Sequence, residues 1–245
     1  TNITDPIAYA DRLTMPKLVV NSGMDEFFMP DDTHWWWDKM PGPKHFLMTP
    51  NTDHICATGV LETIPAIGAF IKSVLNDKPA PTFTWKISSD ASNITVDTKG
   101  DYKPHSVHMW HATTCNADRR DFRAVNLDQP CACGVSVKGH CLNLKATWSK
   151  TVLTEVEGQP GIFVAHQDAP AVGWTAFFID VQYGLLANKP NVEASRFLSE
   201  GAMNEDLGWP IDFPARLEFT TEVSIIPNTF PFKDCTGKTC NGKLV

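Results

Sequence analysis

The sequence predicts two consecutive fold classes, α/β followed by all-β. Residues 18–20 form a short apolar run without alternation, which is typical of a parallel-sheet strand covered on both faces. From residue 82 onwards apolar residues recur at every second position, as they do in antiparallel strands. A linker rich in Pro and polar residues lies between the two patterns, at residues 76–81. We therefore expect one domain over residues 1–78 and a second over residues 82–245.

Strands and helices alternate in the first domain. After the strand at residues 18–20, Pro30 and the two aspartates that follow predict a helix start, and the helix is expected to run towards Met40. Residues 45–48 form the second predicted strand. A longer helix follows, with aliphatic residues at spacings of three and four, the pattern of a helix that buries one face. This aliphatic stripe consists of Ile64, Ile67, Ile71, Val74 and Leu75.

The second domain is predicted to be an antiparallel β-sandwich. Its clearest alternation covers residues 217–225, where apolar residues and Thr221 alternate with polar residues. Six or seven short strands separated by polar turns favour a sandwich. The other strand candidates are residues 83–87, 107–110, 142–148, 162–164 and 176–181.

Composition excludes several classes of function. The formal net charge of −7 provides no basic surface for nucleic acid. No apolar run approaches the roughly 18–20 residues of a membrane-spanning helix. Apolar residues make up 42% of the chain and charged residues 20%, which is the composition of a folded globular protein.

Cysteines and glycosylation sequons predict a secreted, oxidised protein. Asn2 and Asn93 each begin an Asn-x-Thr sequon. Seven cysteines are present, and in an oxidising compartment they favour disulfides. The odd number leaves one cysteine over, for which Cys56 is the candidate. The disulfide candidates are Cys115, Cys131, Cys133, Cys141, Cys235 and Cys240.

The alternative for the clustered cysteines is a zinc site. Cys115, Cys131, Cys133, His140 and Cys141 all have side chains that bind zinc. The Cys-x-Cys spacing differs from the usual pairing of zinc-binding cysteines, however, and an oxidising compartment favours disulfides. We therefore expect no metal and no cofactor.

An acid and a histidine follow the two predicted strands of the first domain. Asp25 comes two residues after Gly23, and His54 follows the second strand. In open α/β sheets functional side chains lie at the carboxyl ends of the strands. An acid placed there can accept the Nδ1 proton of a histidine and stabilise the imidazolium during acyl transfer. Glu26 competes with Asp25 for this role, and Asp53 is expected to hold the loop.

This order of elements is that of the C-terminal part of an α/β-hydrolase domain, whose triad runs Ser, acid, His along the chain. The expected fold is therefore α/β plus all-β, a C-terminal portion of such a domain followed by an antiparallel β-sandwich. No Gly-x-Ser-x-Gly motif occurs in the 245 residues. We expect the nucleophilic serine in an upstream N-terminal segment or partner chain, and the present chain alone to be incompetent in covalent catalysis.

Six short strings of the chain form a further pattern: DPIAY at residues 5–9, LTMPK at 13–17, DEFFMPD at 25–31, PNTDH at 50–54, DRRDFR at 118–123 and TTEV at 220–223. With these strings the chain resembles the PhoPQ-activated pathogenicity-related protein family, which includes autocrine proliferation repressors. The resemblance implies a secreted serine hydrolase-like protein similar to dipeptidyl-peptidase-type enzymes, with Asp25 and His54 in the acid and base positions. It also suggests the alternative of a non-catalytic signal that binds a cell-surface receptor. A surface glycoprotein built on the same scaffold is a further alternative.

Overall fold

The computed structural model describes residues 4–127, 130–183 and 217–230. These residues contain one α-helix, α1 (Val60–Leu75), and three 3-10 helices, at Pro6–Arg12, Asp32–Trp35 and Trp37–Lys39. The strands are β1 (Lys17–Ser22), β2 (Lys44–Thr49), β3 (Thr84–Ile87), β4 (Asn93–Asp97), β5 (Ser106–Thr113), β6 (Val125–Asn126), β7 (Gly134–Val137), β8 (His140–Asn143), β9 (Ser149–Val152), β10 (Ile162–His166), β11 (Thr175–Tyr183), β12 (Leu217–Thr220) and β13 (Ser224–Ile226).

The strands form four small sheets. β1 and β2 are parallel, in a register that sets Ser22 opposite Thr49. All other pairings are antiparallel: a five-stranded path β12-β11-β5-β9 with β13 beside β11, and three-stranded sheets β10-β4-β3 and β6-β8-β7.

The predicted fold class is wrong. An α/β-hydrolase portion requires a larger sheet with helices on it, whereas the described residues contain a two-stranded parallel sheet and one α-helix of 16 residues. The helix predicted from Pro30 towards Met40 is replaced by two 3-10 helices, Asp32–Trp35 and Trp37–Lys39. The other described strands form several small antiparallel sheets, whereas a single β-sandwich was predicted. Several strand segments were predicted, but β4, β6, β7 and β9 were not, and the strand predicted over residues 142–148 ends at Asn143. Apart from the parallel arrangement of β1 and β2, the assembly into sheets was not predicted.

Helix α1 occupies the predicted region but buries a different face. The aliphatic stripe points outwards, with Ile71 exposed by 42% and Leu75 by 78%. Small residues, including Ala66 and Ala69, are buried instead. They allow the helix backbone to approach β1, β2 and β12, while Phe70 packs edge-on against Phe219 with ring centroids 6.5 Å apart. A helix of this length is also shorter than the roughly 20 residues needed to cross a bilayer, and no helix in the described ranges is long and apolar enough to do so.

Two apolar clusters join the segments on either side of the linker. In the first, Phe70 of α1 packs with Ile94 and Ile179 of the antiparallel sheets. In the second, Phe46 of β2 packs with Trp148 and Phe178. A hydrogen bond from the backbone N of Met48 to Thr220 Oγ1, at 2.9 Å, adds a polar link. The two segments therefore share their cores, while the predicted domain boundary at residues 78–82 stays a prediction.

Two disulfides hold the small β6-β8-β7 sheet. Cys115 pairs with Cys133, and Cys131 pairs with Cys141. The prediction that these four cysteines form disulfides is confirmed, and zinc coordination by them is excluded because the sulfurs are bonded to one another. Cys56 is a free cysteine, as predicted. The disulfide candidates Cys235 and Cys240 lie outside the described residues.

Candidate functional site

The loops after β1 and β2 lie side by side. Because the two strands are parallel and paired in register, their carboxyl ends meet at the same edge. Two further backbone hydrogen bonds continue this pairing past the strand ends. Gly23 donates to Thr49 at 2.8 Å, and Met24 donates to Thr52 at 3.0 Å. Residues 25 and 54 are thereby placed next to each other.

Asp25 and His54 are in direct hydrogen-bond contact. Nδ1 of His54 lies 3.0 Å from Oδ1 and 2.9 Å from Oδ2 of Asp25. An ionised carboxylate only accepts hydrogen bonds, so Nδ1 carries a proton and Nε2 of the neutral ring has a free lone pair. The side chain of Asp25 is 10% exposed and that of His54 is 40% exposed. The structure thus brings together the two residues that the sequence predicted as an acid–base pair.

The carboxylate of Asp25 is oriented by the backbone that follows it. Its Oδ1 accepts hydrogen bonds from the amide of Phe27 at 2.7 Å and from the amide of Phe28 at 3.0 Å. Such turns are typical of Asp because its short side chain reaches amides two and three residues ahead. These two hydrogen bonds do not involve His54, and they hold the carboxylate in the orientation in which it contacts the imidazole.

Glu26 contacts the histidine loop through the backbone. Its Oε2 accepts from the amide of His54 at 3.0 Å, and its Oε1 accepts from the amide of Val125 at 3.2 Å. This role was missed in the sequence, where Glu26 appeared only as a competitor of Asp25. Asp53, expected to hold the loop, accepts a hydrogen bond from the amide of Ala57 at 3.1 Å. No local sequence signal reveals the Glu26–Val125 contact, which joins residues 99 positions apart.

Exposed aromatic and aliphatic side chains surround the pair. The ring of Phe27 lies 4.5 Å from that of His54 and is 75% exposed. Phe28 lies 5.9 Å away and is 58% exposed. Ile55, the residue after the histidine, is 77% exposed. We call Phe27, Phe28 and Ile55 the apolar rim, and exposed apolar clusters of this kind mark surfaces that bind a ligand or another chain.

Two acidic residues, Asp31 and Asp32, follow the rim residues Phe27 and Phe28 in the sequence. Arg120, almost fully buried, pairs with Asp31 at 2.5 Å. Asn21 donates to Asp32 at 3.2 Å. Burial, and then the charges of Asp31 and Asp25, raise the pKa of Asp32 to about 6. Asp32 therefore changes its charge near neutral pH, close to the Asp25 carboxylate.

Cys56 lies near the end of β1. Its Sγ is 3.1 Å from Oγ of Ser22, and its backbone has a φ of +56°. A positive φ is uncommon for a residue with a Cβ. The thiol is half-buried, and the structure gives it no role beyond this contact.

Of the two predicted glycosylation sites, Asn93 lies among the described residues and Asn2 does not. Asn93 begins β4, where its side-chain Nδ2 donates to Oγ of Ser92 at 2.7 Å and its Oδ1 lies 2.9 Å from Nδ1 of His166. Asn2 lies outside the described residues. Glycosylation at both positions stays a prediction. In the ranges that the structure describes, no group of three or more His, Cys, Asp or Glu side chains is arranged to hold a metal ion.

Residues 1–123 match the model of the PhoPQ-activated pathogenicity-related protein family. This chain belongs to that family. Autocrine proliferation repressor protein A of Dictyostelium discoideum is 30% identical over 241 residues, which cover 96% of this chain and 42% of that protein. No solved structure shows a significant match.

Membership in the PhoPQ-activated pathogenicity-related protein family confirms the resemblance predicted from the sequence strings. The matched region includes Asp25, His54, Asp31 and Arg120. The chain spans less than half the length of the Dictyostelium relative. The two disulfides indicate an oxidising compartment, extracellular or periplasmic.

Proposed function

We propose that this chain supplies the acid and the base of a Ser-His-Asp triad in a secreted hydrolase, with peptide bonds as the substrate class. The observation that carries the proposal is the contact of His54 Nδ1 with both carboxylate oxygens of Asp25. In acyl transfer this contact fixes the tautomer of the base and stabilises the imidazolium that forms.

In the proposed reaction the Nε2 lone pair of His54 takes the proton of a serine hydroxyl as the oxygen attacks the carbonyl. Asp25 stays ionised and stabilises the resulting imidazolium. His54 then returns the proton to the leaving amine. The 40% exposure of the His54 side chain supports this proposal because it makes the ring accessible to a group from outside.

The serine is proposed to come from an upstream segment or a partner chain. The 245 residues contain no Gly-x-Ser-x-Gly motif. The apolar rim of Phe27, Phe28 and Ile55 supports docking of further protein at the histidine, because such a surface is costly to leave in water. An extracellular setting is consistent with the two disulfides.

Labelling with a fluorophosphonate tests this proposal. The native protein, with every chain that copurifies, is treated with the probe and the modified residue is located by mass spectrometry. We expect labelling of one serine, and at least a hundredfold slower labelling in His54→Ala. His34→Ala, which changes an exposed histidine of a neighbouring segment, is the matched control and should label normally. Absence of any labelled serine contradicts the proposal.

A second candidate function is non-catalytic signalling through a cell-surface receptor. It is supported by the name of the Dictyostelium relative, a proliferation repressor, and by the same apolar rim, which suits a protein partner. In this case His54→Ala and Asp25→Asn should retain full activity in a growth assay, whereas Phe27→Ser should reduce it. Loss of signalling in a folded His54→Ala variant would contradict this function.

A further inference from the structure

His45, on β2, is a buried histidine that the proposed reaction does not use. The residue is 8% exposed, and its ring packs between the two segments that the linker joins. The ring of Phe70 of α1 lies 5.5 Å from it, and the ring of Phe219 of β12 lies 4.4 Å from it. Leu18 of β1 is opposite His45 in the parallel register. His45 therefore lies where β2, helix α1 and the antiparallel strand β12 meet.

One hydrogen bond connects this ring to the linker. Nε2 of His45 lies 3.0 Å from the carbonyl oxygen of Pro81, the last residue of the linker. Because a carbonyl only accepts hydrogen bonds, Nε2 carries the proton and the lone pair of the neutral ring is on Nδ1. Nδ1 is buried and has no hydrogen-bond partner among the described residues. The site therefore fits a neutral imidazole and contains no acceptor for a second N–H.

The charged groups of α1 and β12 do not face the ring. The buried residues of α1 are all uncharged, and its two charged residues, Glu62 and Lys72, are only partly buried. Glu218 precedes Phe219 in β12 and therefore points to the opposite side of the strand. There its carboxylate accepts a hydrogen bond from Gln182 at 2.8 Å. Neither element provides a carboxylate that could pair with a protonated His45.

The remaining charged neighbours do not compensate a protonated ring either. Lys44 precedes His45 in β2, and Lys17 is opposite Lys44 in β1, so both add positive charge. In the linker, Asp77 and Lys78 are exposed to water. Burial lowers the pKa of His45, and the hydrogen bond to the linker carbonyl opposes this shift only in part. A proton on Nδ1 would create a buried cation without a partner, which is costly.

We propose that His45 forms a pH-sensitive contact, which holds α1 and the linker on the antiparallel strands at neutral pH and releases them in mildly acidic solution. Nδ1 can take up a proton only when it reaches water, which requires that α1 or the linker moves away. In the released state the histidine has its ordinary pKa of about 6.5, whereas the packed state takes up the proton only at lower pH. The contact is therefore fully stabilising above about pH 7. As the pH falls below about 6.5, the released population rises by at most about tenfold per pH unit.

Hydrogen exchange of the full chain, followed by mass spectrometry at pH 7.5 and pH 5.5, tests the proposal. After correction for the intrinsic pH dependence of exchange, amides of α1 and of residues 76–81 should exchange several-fold faster at pH 5.5, with about tenfold as the limit. Amides of the paired central strands β5 and β11 should keep their protection. Unchanged exchange of α1 overturns the proposal. Equal loss of protection in α1, β5 and β11 also overturns it, because it shows unfolding of the whole chain.

A variant without the titrating ring identifies the residue responsible. His45→Gln retains an N–H donor for the carbonyl of Pro81 but does not titrate, so α1 should exchange equally at both pH values after the same correction. His166→Gln, which changes a histidine whose side chain is 55% exposed, is the matched control and should respond to acid as the wild type does. An acid response that persists in His45→Gln overturns the proposal.

Nuclear magnetic resonance of the wild type provides a test that does not depend on the folding of the variant. Nitrogen-15 chemical shifts should show that His45 carries its proton on Nε2 at pH 7.5. At pH 5.5 the ring of His45 in the packed state should still be neutral, whereas the exposed ring of His166 is protonated. A packed state in which His45 is already protonated at pH 5.5 overturns the proposal, because protonation then requires no release.

Discussion

The carboxylate of Glu26 binds the backbone of His54 and leaves the imidazole ring to Asp25. One oxygen accepts from the amide of His54 at 3.0 Å, and the other accepts from the amide of Val125 at 3.2 Å. Val125 belongs to β6 of the disulfide-bonded sheet. Glu26 therefore ties the loop that carries the histidine to a distant part of the chain.

Replacement of the Glu26 carboxylate tests whether these two hydrogen bonds stabilise the protein. In Glu26→Gln the side chain retains one acceptor oxygen, so one of the two amides loses its partner. We expect the free energy of unfolding to fall by about 1–2 kcal/mol, measured by urea denaturation. Glu155→Gln, at an exposed position, is the control and should change stability by less than about 0.5 kcal/mol. If the two variants are equally stable, the hydrogen bonds of Glu26 do not contribute to the free energy of unfolding, and the prediction is wrong.

Asp25→Asn is expected to change the tautomer of His54. The Oδ1 atom at position 25 already accepts from the amides of Phe27 and Phe28, so the new amide NH₂ faces the ring. Nδ1 must then accept, and the neutral imidazole carries its proton on Nε2. Nitrogen-15 chemical shifts of the ring report the tautomer directly. Asp53→Asn should leave the tautomer unchanged, and an Nδ1 proton in Asp25→Asn would contradict the geometry.

Asp32 should make stability depend on pH. Its pKa is raised to about 6, first by burial and then by the charges of Asp31 and Asp25, against about 3.9 in an unfolded chain. Between these values the folded state binds more protons than the unfolded state, so this contribution to the free energy of unfolding falls as pH rises. Above about pH 6 this loss is complete. We expect the free energy of unfolding to have fallen by about 1 kcal/mol in total, after allowing for solvent screening.

Asp32→Asn removes this pH dependence while retaining an acceptor for Asn21. Relative to the wild type, the variant should be more stable at pH 7 and show little difference at pH 4. Urea denaturation at the two values measures the change, with Asp11→Asn as the control at an exposed acid. The same stability difference at both pH values would contradict the raised pKa.

Local patterns in the sequence predicted the acid–histidine contact but not the sheets around it. Asp25 and His54 were predicted as a pair because each follows an apolar strand, and the parallel pairing of β1 with β2 sets the ends of the two strands side by side. Several of the antiparallel pairings join residues far apart in the sequence, such as Asp180 with Thr220 and Ile162 with Asp97. Period-two alternation identifies a strand but not its partner, so the division into four sheets was not predictable.

The orientation of α1 shows where periodicity fails. Its aliphatic stripe predicts a buried face, yet close packing of the helix on β2 and β12 selects the opposite face, which carries Ala66, Ala69 and Phe70. Helix periodicity identifies which residues share a face. It does not identify the face that fits a given sheet, because this depends on the shape of the opposing surface.

Substitutions on the two faces of α1 provide the last prediction. Phe70 is buried against Phe219 and His45, so Phe70→Ala should lower the free energy of unfolding by about 3–5 kcal/mol. Ile71, the next residue, is 42% exposed, and Ile71→Ala should cost less than about 1 kcal/mol because most of the lost area already faces water. Thermal and urea unfolding measure both. If Ile71→Ala proves as costly as Phe70→Ala, the aliphatic stripe is covered by protein in solution and the described packing of α1 is incomplete.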